Sequence, residues 1–383
     1  MISLEYKNKL SEACVLSKHD RGELLTENGM KGHENKLIFG DNLKVLKCLL
    51  YDLNLSKSID LIYIDPPFST RNTFKIGKTR TSTISFAQSD ETAYEDNLIG
   101  AEFIEFLRQR LILMRELMSD KASIYLHIDY KIGHYVKIMM DEIFGISNFR
   151  NDIARIKCSP KNFSRKGYGN IKDLILFYSK TGKYTWHEPR EAFKGDEVRK
   201  LFLKVDENGR HYTTIPLHAP GETANGSTGK AWRGILPPKG RHWRSDPAEL
   251  ENLDKAGLVE WSKNNVPRKR IFMEDARERG KRVQDIWEYK DPMYPQYPTE
   301  KNIELVRRII TTSSDEDDVV MDCFLGSGTT IMAANELGRR WIGIDNSKPA
   351  LDTVQKRLKS LSPTLFKSDL RYELLRIKNG SAV

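Results

Sequence analysis

The chain has 383 residues, a formal net charge of +9 and a pI of about 9.1, a balance that favours a polyanionic partner such as nucleic acid. Its 39% hydrophobic and 30% charged residues are ordinary for a soluble globular protein, and no stretch approaches the roughly 18 consecutive apolar residues of a membrane span. Four separated cysteines without a CxxC pair predict neither a disulfide framework nor a metal site. Together with the lack of an apolar leader, they indicate a reducing, cytoplasmic setting.

The first recognisable elements follow a polar stretch, residues 1–35, that carries no identifiable motif. An apolar run at 36–39 stops at a tight turn, and apolar residues at helical spacing begin at Leu43, which predicts a strand, a turn and a helix. Asp41 would then lie at the carboxyl edge of a strand, where open α/β sheets bind ligands. The same position suits an aspartate that caps the helix N-terminus, and both interpretations stay open.

The motif around which the chain is organised is Asp65-Pro66-Pro67-Phe68, directly after the apolar run at 60–64. The prolines end the strand, so Asp65 is predicted at its carboxyl end and the Pro66 carbonyl lacks an obvious local donor. A carboxylate and a free carbonyl can hold an exocyclic amino group by both its hydrogens, while Phe68 stacks on the ring that carries it. The alternative is a strand that ends in a turn with a solvated aspartate.

The polar segment 69–98 has no apolar period, and we expect a loop that could close over the motif as a lid. His127 falls in a predicted strand, where a histidine is more often a packed or surface residue than a catalytic one. The pattern beyond the loop predicts, in order, a helix at 101–118, a strand at 123–128, a helix at 135–144, and two strands at 149–157 and 174–178 that could pair.

Residues 186–290 differ in character, because they contain five of the six tryptophans and several clusters of arginine and lysine. Basic residues interleaved with aromatic ones suit contacts to a nucleic-acid backbone and to bases. A solvated basic face around a small tryptophan core is the alternative, since acidic residues are frequent here too. The candidate DNA-binding residues are Arg233, Lys239, Arg241, Trp243, Arg244, Arg268, Lys269 and Arg270.

The C-terminal segment predicts a helix at 302–310, a strand at 319–322, a glycine-rich turn, a helix at 331–337 and a strand at 341–345. A strand, glycine-rich turn and helix, with an acid ending the next strand, are typical of a site for an adenosine-containing cofactor. Gly326 and Gly328 let the cofactor approach the backbone, and Asp345 would bind ribose hydroxyls. Because Ile331 stands where a third glycine would be, no pyrophosphate is specifically indicated.

With these motifs placed, the sequence resembles the DNA amino-methyltransferases that use S-adenosylmethionine. Their two signatures, Asp-Pro-Pro-Phe/Tyr and Phe-x-Gly-x-Gly, are matched at 65–68 and 324–328. The catalytic motif precedes the cofactor loop and a large insertion separates them, which is the permuted order of the β class. Other segments are similar to the modification subunits of type III restriction systems and their solitary relatives: 61–68, 232–234, 237–244, 284–287 and 297–301.

The resemblance implies an α/β fold with a Rossmann-like class I methyltransferase sheet of about seven mostly parallel strands, doubly wound and circularly permuted. It implies a division into an N-terminal segment of unknown role at 1–35, a catalytic half at 36–180, a target-recognition region at 181–295, a cofactor-binding half at 296–362 and a C-terminal tail at 363–383.

The activity implied by the resemblance is methyl transfer from S-adenosylmethionine to adenine N6 in a short duplex DNA sequence, after the base is flipped out of the stack. The catalytic residues carried over are Asp65, Pro66, Pro67 and Phe68. The cofactor-binding residues carried over are Asp41, Thr299, Lys301, Asp322, Phe324, Gly326, Ser327, Gly328, Thr329 and Asp345. Double-stranded DNA is the implied partner, in a bacterial cytoplasm at the nucleoid, and a homodimer or a restriction subunit are further candidate partners.

Two positions depart from the family pattern. Asn302 stands where proline often follows Lys301, which weakens a cofactor role for Thr299 and Lys301, and Cys323 replaces the usual proline and is expected on the packing side of its strand. The chain is also shorter than typical type III modification subunits, so membership of a full restriction complex is not assumed.

Four alternatives to adenine methylation arise from the sequence. Cytosine C5 methylation is excluded because no cysteine follows a proline, whereas cytosine N4 stays an alternative, although family members acting there usually have serine in place of Asp65. A catalytically silent DNA-binding regulator is disfavoured by the intact Asp65 and glycine loop. A nicotinamide oxidoreductase is disfavoured by the glycine spacing and by the aromatic and basic insertion.

Overall fold

The computed structural model describes residues 3–29, 31–67, 73–76, 81–82, 91–95, 100–160, 164, 166–195, 197–223, 225–293, 295, 300–360 and 372–378. The chain separates into two compact units. The first is formed by Met1–His187 and Gln284–Val383, and the second by Glu188–Val283. The predicted recognition region at 181–295 therefore contains the second unit together with two short flanking segments, 181–187 and 284–295, that belong to the first.

The strands, in chain order, are β1 Glu23–Gly29, β2 Lys36–Phe39, β3 Ile59–Ile64, β4 Thr73–Ile76, β5 Thr81–Ser82, β6 Glu91–Glu95, β7 Met118–Ile128, β8 Phe149–Ile156, β9 Lys172–Ser179, β10 Arg190–Glu191, β11 Lys204–Val205, β12 His211–Pro216, β13 His218–Pro220, β14 Arg241–Trp243, β15 Val259–Trp261, β16 Pro267–Phe272, β17 Lys281–Arg282, β18 Ile286–Glu288, β19 Val319–Asp322, β20 Arg340–Asp345 and β21 Glu373–Lys378.

The α-helices are α1 Glu12–Val15, α2 Asn42–Tyr51, α3 Ala101–Leu117, α4 Gly133–Phe144, α5 Glu197–Leu201, α6 Pro247–Lys255, α7 Met273–Arg279, α8 Ile303–Ser313, α9 Thr329–Glu336 and α10 Lys348–Ser360. Single 3₁₀ turns lie at Ile146–Asn148 and Ser227–Gly229. Among the described ranges, no helix combines the length and the apolar composition that a membrane crossing requires.

The first unit is built on one sheet of ten strands in the order β1-β21-β2-β20-β19-β3-β7-β9-β8-β18. Neighbouring strands are parallel except for three pairs, β1 with β21, β7 with β9 and β8 with β9. The expected mostly parallel α/β sheet is thus confirmed, and the expected pairing of 149–157 with 174–178 is the antiparallel β8–β9 ladder. Seven contiguous strands run from β2 to β8, and β21, β1 and β18 extend the two edges beyond the expected number.

The central strands are buried on both faces, as continuous apolar runs require in a parallel sheet. Every residue of β3 is buried. Ile62 and Ile64 pack in a cluster with side chains of α2, α3 and α4, while Leu61 and Tyr63 alternate to the opposite face, where α8 contacts β3. Helices therefore cover both faces of the sheet at its centre.

Part of the segment 69–98, expected to be an open loop, is instead paired. Strands β4, β5 and β6 form a separate antiparallel sheet in the order β5-β4-β6. The predicted loop is wrong for these short stretches, because three brief polar strands give too little apolar alternation to be recognised in sequence. The rest of the expected lid lies outside the described residues.

The second unit has an antiparallel sheet of order β11-β12-β16-β15, with two smaller ladders, β13-β14 and β10-β17. One of its apolar clusters contains Leu217, Trp232, Trp243, Leu250 and Val259. The rings of Trp232 and Trp243 meet edge to face with centroids 6.1 Å apart, and Trp243 Nε1 donates to the Lys230 carbonyl. The tryptophans at the centre of this segment therefore build a core.

Trp243→Ala is expected to lower the free energy of unfolding by about 3–5 kcal/mol, because the side chain is 1% exposed and its loss leaves a cavity. Chemical denaturation followed by far-UV circular dichroism measures the change. Trp186→Ala, at a position that is 46% exposed, is the control and should cost clearly less. Equal midpoints for Trp243→Ala and wild type would contradict a core role.

Candidate active site

Four acidic residues meet at one edge of the central sheet because four neighbouring parallel strands end there. Asp65 follows β3, Asp322 and Asp345 are the last residues of β19 and β20, and Asp41 follows β2 by two residues. These strands are adjacent in the order β2-β20-β19-β3, so their carboxyl ends share one edge. The predicted strand ends thus bring both motifs together in the first unit.

Asp65 is held through one oxygen only. Lys301 Nζ lies 2.5 Å from Oδ2, whereas Oδ1 is buried and accepts no hydrogen bond from any described residue. Asn302, the residue where the family often has proline, caps α8 by accepting from the Glu304 N–H at 2.9 Å. The cap fixes the chain just after Lys301, so its ammonium is directed at Asp65.

A buried polar group lies beside Asp65. His127 is fully buried, its Nε2 is 3.3 Å from Asp173 Oδ2, and its Nδ1 is 3.1 Å from the Tyr63 hydroxyl and 3.9 Å from Asp65 Oδ1. Burial lowers the pKa of His127. Burial alone would raise the pKa of Asp173, but its hydrogen bonds with His127 and with Lys157 lower it below the ordinary value.

The two hydrogen-bond partners of His127 assign the tautomer of its neutral form. An ionised Asp173 can only accept, so Nε2–H of the neutral imidazole donates to it, and Nδ1 accepts from the Tyr63 hydroxyl. The expectation that His127 is a packed residue agrees with its burial. Sequence reasoning missed Asp173, although a carboxylate inside the apolar strand β9 is a signal that it has partners.

The glycine-rich turn between β19 and α9 requires its two glycines. Gly326 and Gly328 have φ values of 51° and 80°, in the region that favours glycine. A Cβ on Gly328 would also lie 2.8 Å from Val354 Cγ2. Ser327 and Thr329 are buried, with their hydroxyl oxygens 3.0 Å apart. The loop backbone is therefore closely packed at the N-terminus of α9.

Asp322 is buried and Asp345 is partly buried, and the described partners of both carboxylates are uncharged. Asp322 accepts from the Thr330 hydroxyl at 2.6 Å and the Phe324 N–H at 2.9 Å, and Asp345 accepts from the Gly326 and Ser347 N–H groups, both at 2.8 Å. Burial raises the pKa of Asp322 to about 7 and also raises that of Asp345. Each carboxylate oxygen keeps acceptor capacity, so the pair fits a ligand that brings a positive charge and hydroxyl donors.

Asp41 has the helix-capping role that its sequence position also allowed. Its carboxylate accepts from the N–H groups of Leu43 and Lys44, and Arg110 Nη2 lies 3.4 Å away. Burial lowers the pKa of Arg110 to about 10, although Asp41 opposes the shift. Arg110 Nε also donates to Asn42 Oδ1 at 2.5 Å. Sequence reasoning missed Arg110, which sits in α3 with no local signal of its role.

The remaining predicted site residues have varied outcomes. Phe324 packs with its ring centroid 6.1 Å from that of Phe106. Cys323 is 1% exposed within the apolar cluster, so its expected packing role is confirmed. Pro66 is buried directly after Asp65. Phe68 and Thr299 lie outside the described residues.

The surroundings of two candidate DNA-binding residues in the second unit do not suit a DNA contact. The prediction for Trp243 is corrected, because its ring is buried in the core and offers no face to a base. Arg233 is bidentate to Glu251, with both N···O distances 2.8 Å, and lies 2.5 Å from Asp254 Oδ2, so two carboxylates neutralise it. The other candidates lie on or beside β14 and β16: Lys239, Arg241, Arg244, Arg268, Lys269 and Arg270.

The chain is similar to known DNA methyltransferases. A family described as DNA methylase matches residues 59–356. The type II methyltransferase M.EcaI of Enterobacter cloacae is 38% identical over 367 residues, covering 93% of this chain and 77% of that protein. The type III StyLTI Mod subunit of Salmonella typhimurium is 27% identical over 82% of this chain and 51% of its own length. The chain thus spans about half of that relative.

Solved structures of similar fold include two with a bound cofactor. The M1.HpyAVI–SAM complex superposes with a TM-score of 0.43 at 17% identity, covering 84% of this chain and 99% of that one. A DNA modification methylase of Thermus thermophilus complexed with S-adenosyl-L-methionine gives a TM-score of 0.45 at 13% identity, covering 91% and 100%.

The raised pKa of Asp322 predicts a pH-dependent contribution to stability. Between its ordinary value and about pH 7, folded Asp322 holds a proton that the unfolded chain lacks, so stability falls as pH rises through that range. Asp322→Asn removes this loss, and the difference in Tm between variant and wild type should therefore favour the variant more at pH 8 than at pH 5. Differential scanning calorimetry at both pH values measures it. Asp352→Asn, on an exposed helix surface, is the matched control, and a pH-independent difference for Asp322→Asn would contradict the assignment.

Proposed function

This chain belongs to the DNA methylase family, and we propose that it transfers a methyl group from S-adenosylmethionine to adenine N6 in a short sequence of duplex DNA. The observation that carries the proposal is the asymmetry of Asp65, with Oδ2 fixed by Lys301 and Oδ1 buried without a described partner. An acceptor in that state, at the ligand-binding edge of the sheet, suits an N–H donor from substrate.

The amino group of adenine is a poor nucleophile, because its lone pair is delocalised into the ring. Asp65 Oδ1 would accept one N–H and the Pro66 carbonyl the other, which draws the nitrogen toward a tetrahedral form. Asp65 then takes the proton that the nitrogen loses. Lys301 holds the carboxylate in one orientation throughout, so positioning and electrostatics supply most of the rate.

S-adenosylmethionine is the methyl donor of this family and supplies a methyl group already activated on a sulfonium. Asp322 suits the amino end of such a ligand, since a bound ammonium would offset the burial that raises its pKa. Asp345 suits the ribose hydroxyls, with Gly326 and Gly328 allowing close approach. Phe324, Ser327, Thr329, Asp41 and Thr299 complete the proposed cofactor site.

Lys301 is assigned to Asp65 rather than to the cofactor. Its Nζ is 2.5 Å from Asp65 Oδ2, and α8 begins directly behind it, which supports a role in holding the catalytic carboxylate. The cap formed by Asn302 takes the place of the family's proline in fixing this turn.

The target adenine must leave the duplex, since stacking hides N6 from a buried carboxylate. Phe68, next to the prolines, is proposed to stack on the flipped base. Sequence selection is proposed for the second unit. With double-stranded DNA as its substrate, the enzyme is proposed to act at the nucleoid in a bacterial cytoplasm. Because its relatives include type III Mod subunits, a restriction subunit is a candidate partner, and so is a second copy of the chain.

The product identifies the reaction. Incubation of duplex DNA with the enzyme and labelled S-adenosylmethionine, followed by digestion to nucleosides and mass spectrometry, should give N6-methyladenine. Asp65→Ala should bind DNA and cofactor but leave the DNA unmodified, because Asp65 is proposed to contact the reacting amino group and neither the rest of the duplex nor the cofactor. If the product is N4-methylcytosine, the target is cytosine N4 and the proposal of adenine N6 is wrong. Near wild-type turnover by Asp65→Ala would overturn the mechanism.

Lys301→Met should lower single-turnover methylation on the order of 10²-fold at saturating cofactor, because Asp65 loses the group that orients it. Lys301→Arg keeps the ion pair and should recover much of the rate. Cofactor affinity, measured by isothermal titration calorimetry, should be largely unchanged in both variants. Weaker cofactor binding with an unchanged rate at saturating cofactor would show that Lys301 binds the cofactor and does not orient Asp65.

A further inference from the structure

We propose that Arg241, Arg244 and Arg268 form a row of phosphate-binding groups on the second unit, along which one strand of the DNA substrate lies, with His218 holding the first arginine in place. The inference rests on the proposed function, since it takes DNA as the polyanion, and it deepens that function by assigning the contacts that position the duplex.

Several cations of the second unit are already neutralised by neighbouring carboxylates. Arg210 pairs with Asp206 at 2.8 Å, and Lys204 pairs with Glu260 at 2.5 Å. Arg233 is shared by two acids, as described above. A cation paired in this way gains little from a phosphate, because binding the phosphate would cost it an existing ion pair.

The three arginines of the row are different. Within the described part of the chain, none of them forms an ion pair with a carboxylate, and each donates to an uncharged acceptor. Arg241 Nη1 is 3.2 Å from His218 Nδ1, and Arg244 Nε donates to the Pro216 carbonyl at 3.1 Å. Arg268 donates from Nε and Nη2 to the hydroxyl and carbonyl of Thr214, both at 2.9 Å. A guanidinium has five N–H donors, so each keeps several for an anion.

The acceptors that anchor these arginines follow one another along a single segment, at Thr214, Pro216 and His218. Thr214 and Pro216 lie in the extended strand β12, where two residues span roughly 7 Å, comparable with the distance between neighbouring phosphates on one DNA strand. The chain bends at Leu217, which is buried in the apolar cluster and fixes the segment to the core, and His218 begins β13. The row is therefore anchored by backbone and core before any ligand arrives.

The positive charges of all three arginines act on His218. Burial lowers the pKa of His218, and the positive charges of Arg241, Arg244 and Arg268 lower it further. Arginine can only donate, so Nδ1 of a neutral His218 is the acceptor that holds Arg241. The nearest acid in this hairpin is Glu222, whose carboxylate accepts from the Gly240 N–H. His218 is thus a positioning residue, acting through Arg241.

Phosphate contacts and base contacts differ in their salt dependence, and this difference tests the row. Each of Arg241→Gln, Arg244→Gln and Arg268→Gln should weaken binding to cognate and random duplexes by the same factor, and lower the slope of log K against log salt by about one unit. Fluorescence anisotropy over a potassium chloride series gives both quantities. Arg210→Gln removes one ion-paired arginine from the same unit and should leave the slope unchanged.

Two variants of His218 separate positioning from general stability. His218→Leu removes the acceptor and should reproduce the slope of Arg241→Gln, while His218→Gln keeps an acceptor and should retain the wild-type slope. Thermal unfolding of both variants checks that the unit stays folded.

The row and the proposed function fail in distinguishable ways. If the wild type methylates DNA and the three arginine variants keep the wild-type salt dependence of binding, the proposed row of phosphate contacts is wrong and the proposed function stands. A changed site preference at constant slope would make these arginines base readers and also overturn the row. A wild type that neither binds nor methylates duplex DNA would overturn both.

Discussion

The first unit depends on how it accommodates four acidic side chains at one sheet edge. Four parallel strands deliver Asp41, Asp345, Asp322 and Asp65 there, and like charges gathered at one edge repel one another. Each is stabilised by a different means. Asp41 is compensated by helix N–H groups and Arg110, Asp345 by two backbone N–H groups, and Asp65 by Lys301.

Asp322 is the carboxylate of that edge with the weakest compensation, since its described partners are one hydroxyl and one N–H. The negative charge of Asp322 is therefore not balanced by a described partner, and a cationic ligand would balance it. Asp65 lacks a different interaction, because Lys301 binds one of its oxygens and no described residue donates to the other. Under the proposed function, a charged cofactor would bind at Asp322 and an amino group of the substrate at Asp65, so the same sheet edge would distinguish two molecules.

Much of this site was readable in the sequence, because its signals are local. Hydrophobic runs that stop at an acid or at proline predicted the ends of β2, β3, β19 and β20, and the glycine spacing predicted the tight turn before α9. What could not be read depends on contacts between distant segments. Asp173 joins His127 only when β9 lies beside β7, and Lys301 meets Asp65 only when α8 packs near β3.

The second unit was the hardest part to predict for the same reason. Its composition indicated basic and aromatic residues but not their partners. Trp243 and Arg241 are two residues apart, yet one lies in the core and the other donates to His218 at the surface. A charge count cannot show that Arg233 is neutralised by Glu251 and Asp254 while Arg244 is not.

The position of β19 in the sheet has a consequence for biosynthesis. β19 pairs with β3, and β20 lies between β19 and β2, so the centre of the sheet is completed by strands from the last part of the chain. β2 and β3 are synthesised long before β20 and β19, so their apolar edges on that side stay unpaired until β19 and β20 have emerged from the ribosome. Pairing between segments so far apart in the sequence is expected to slow folding. The glycine-rich turn and the Asp65 motif therefore come together only after β19 and β20 have been synthesised.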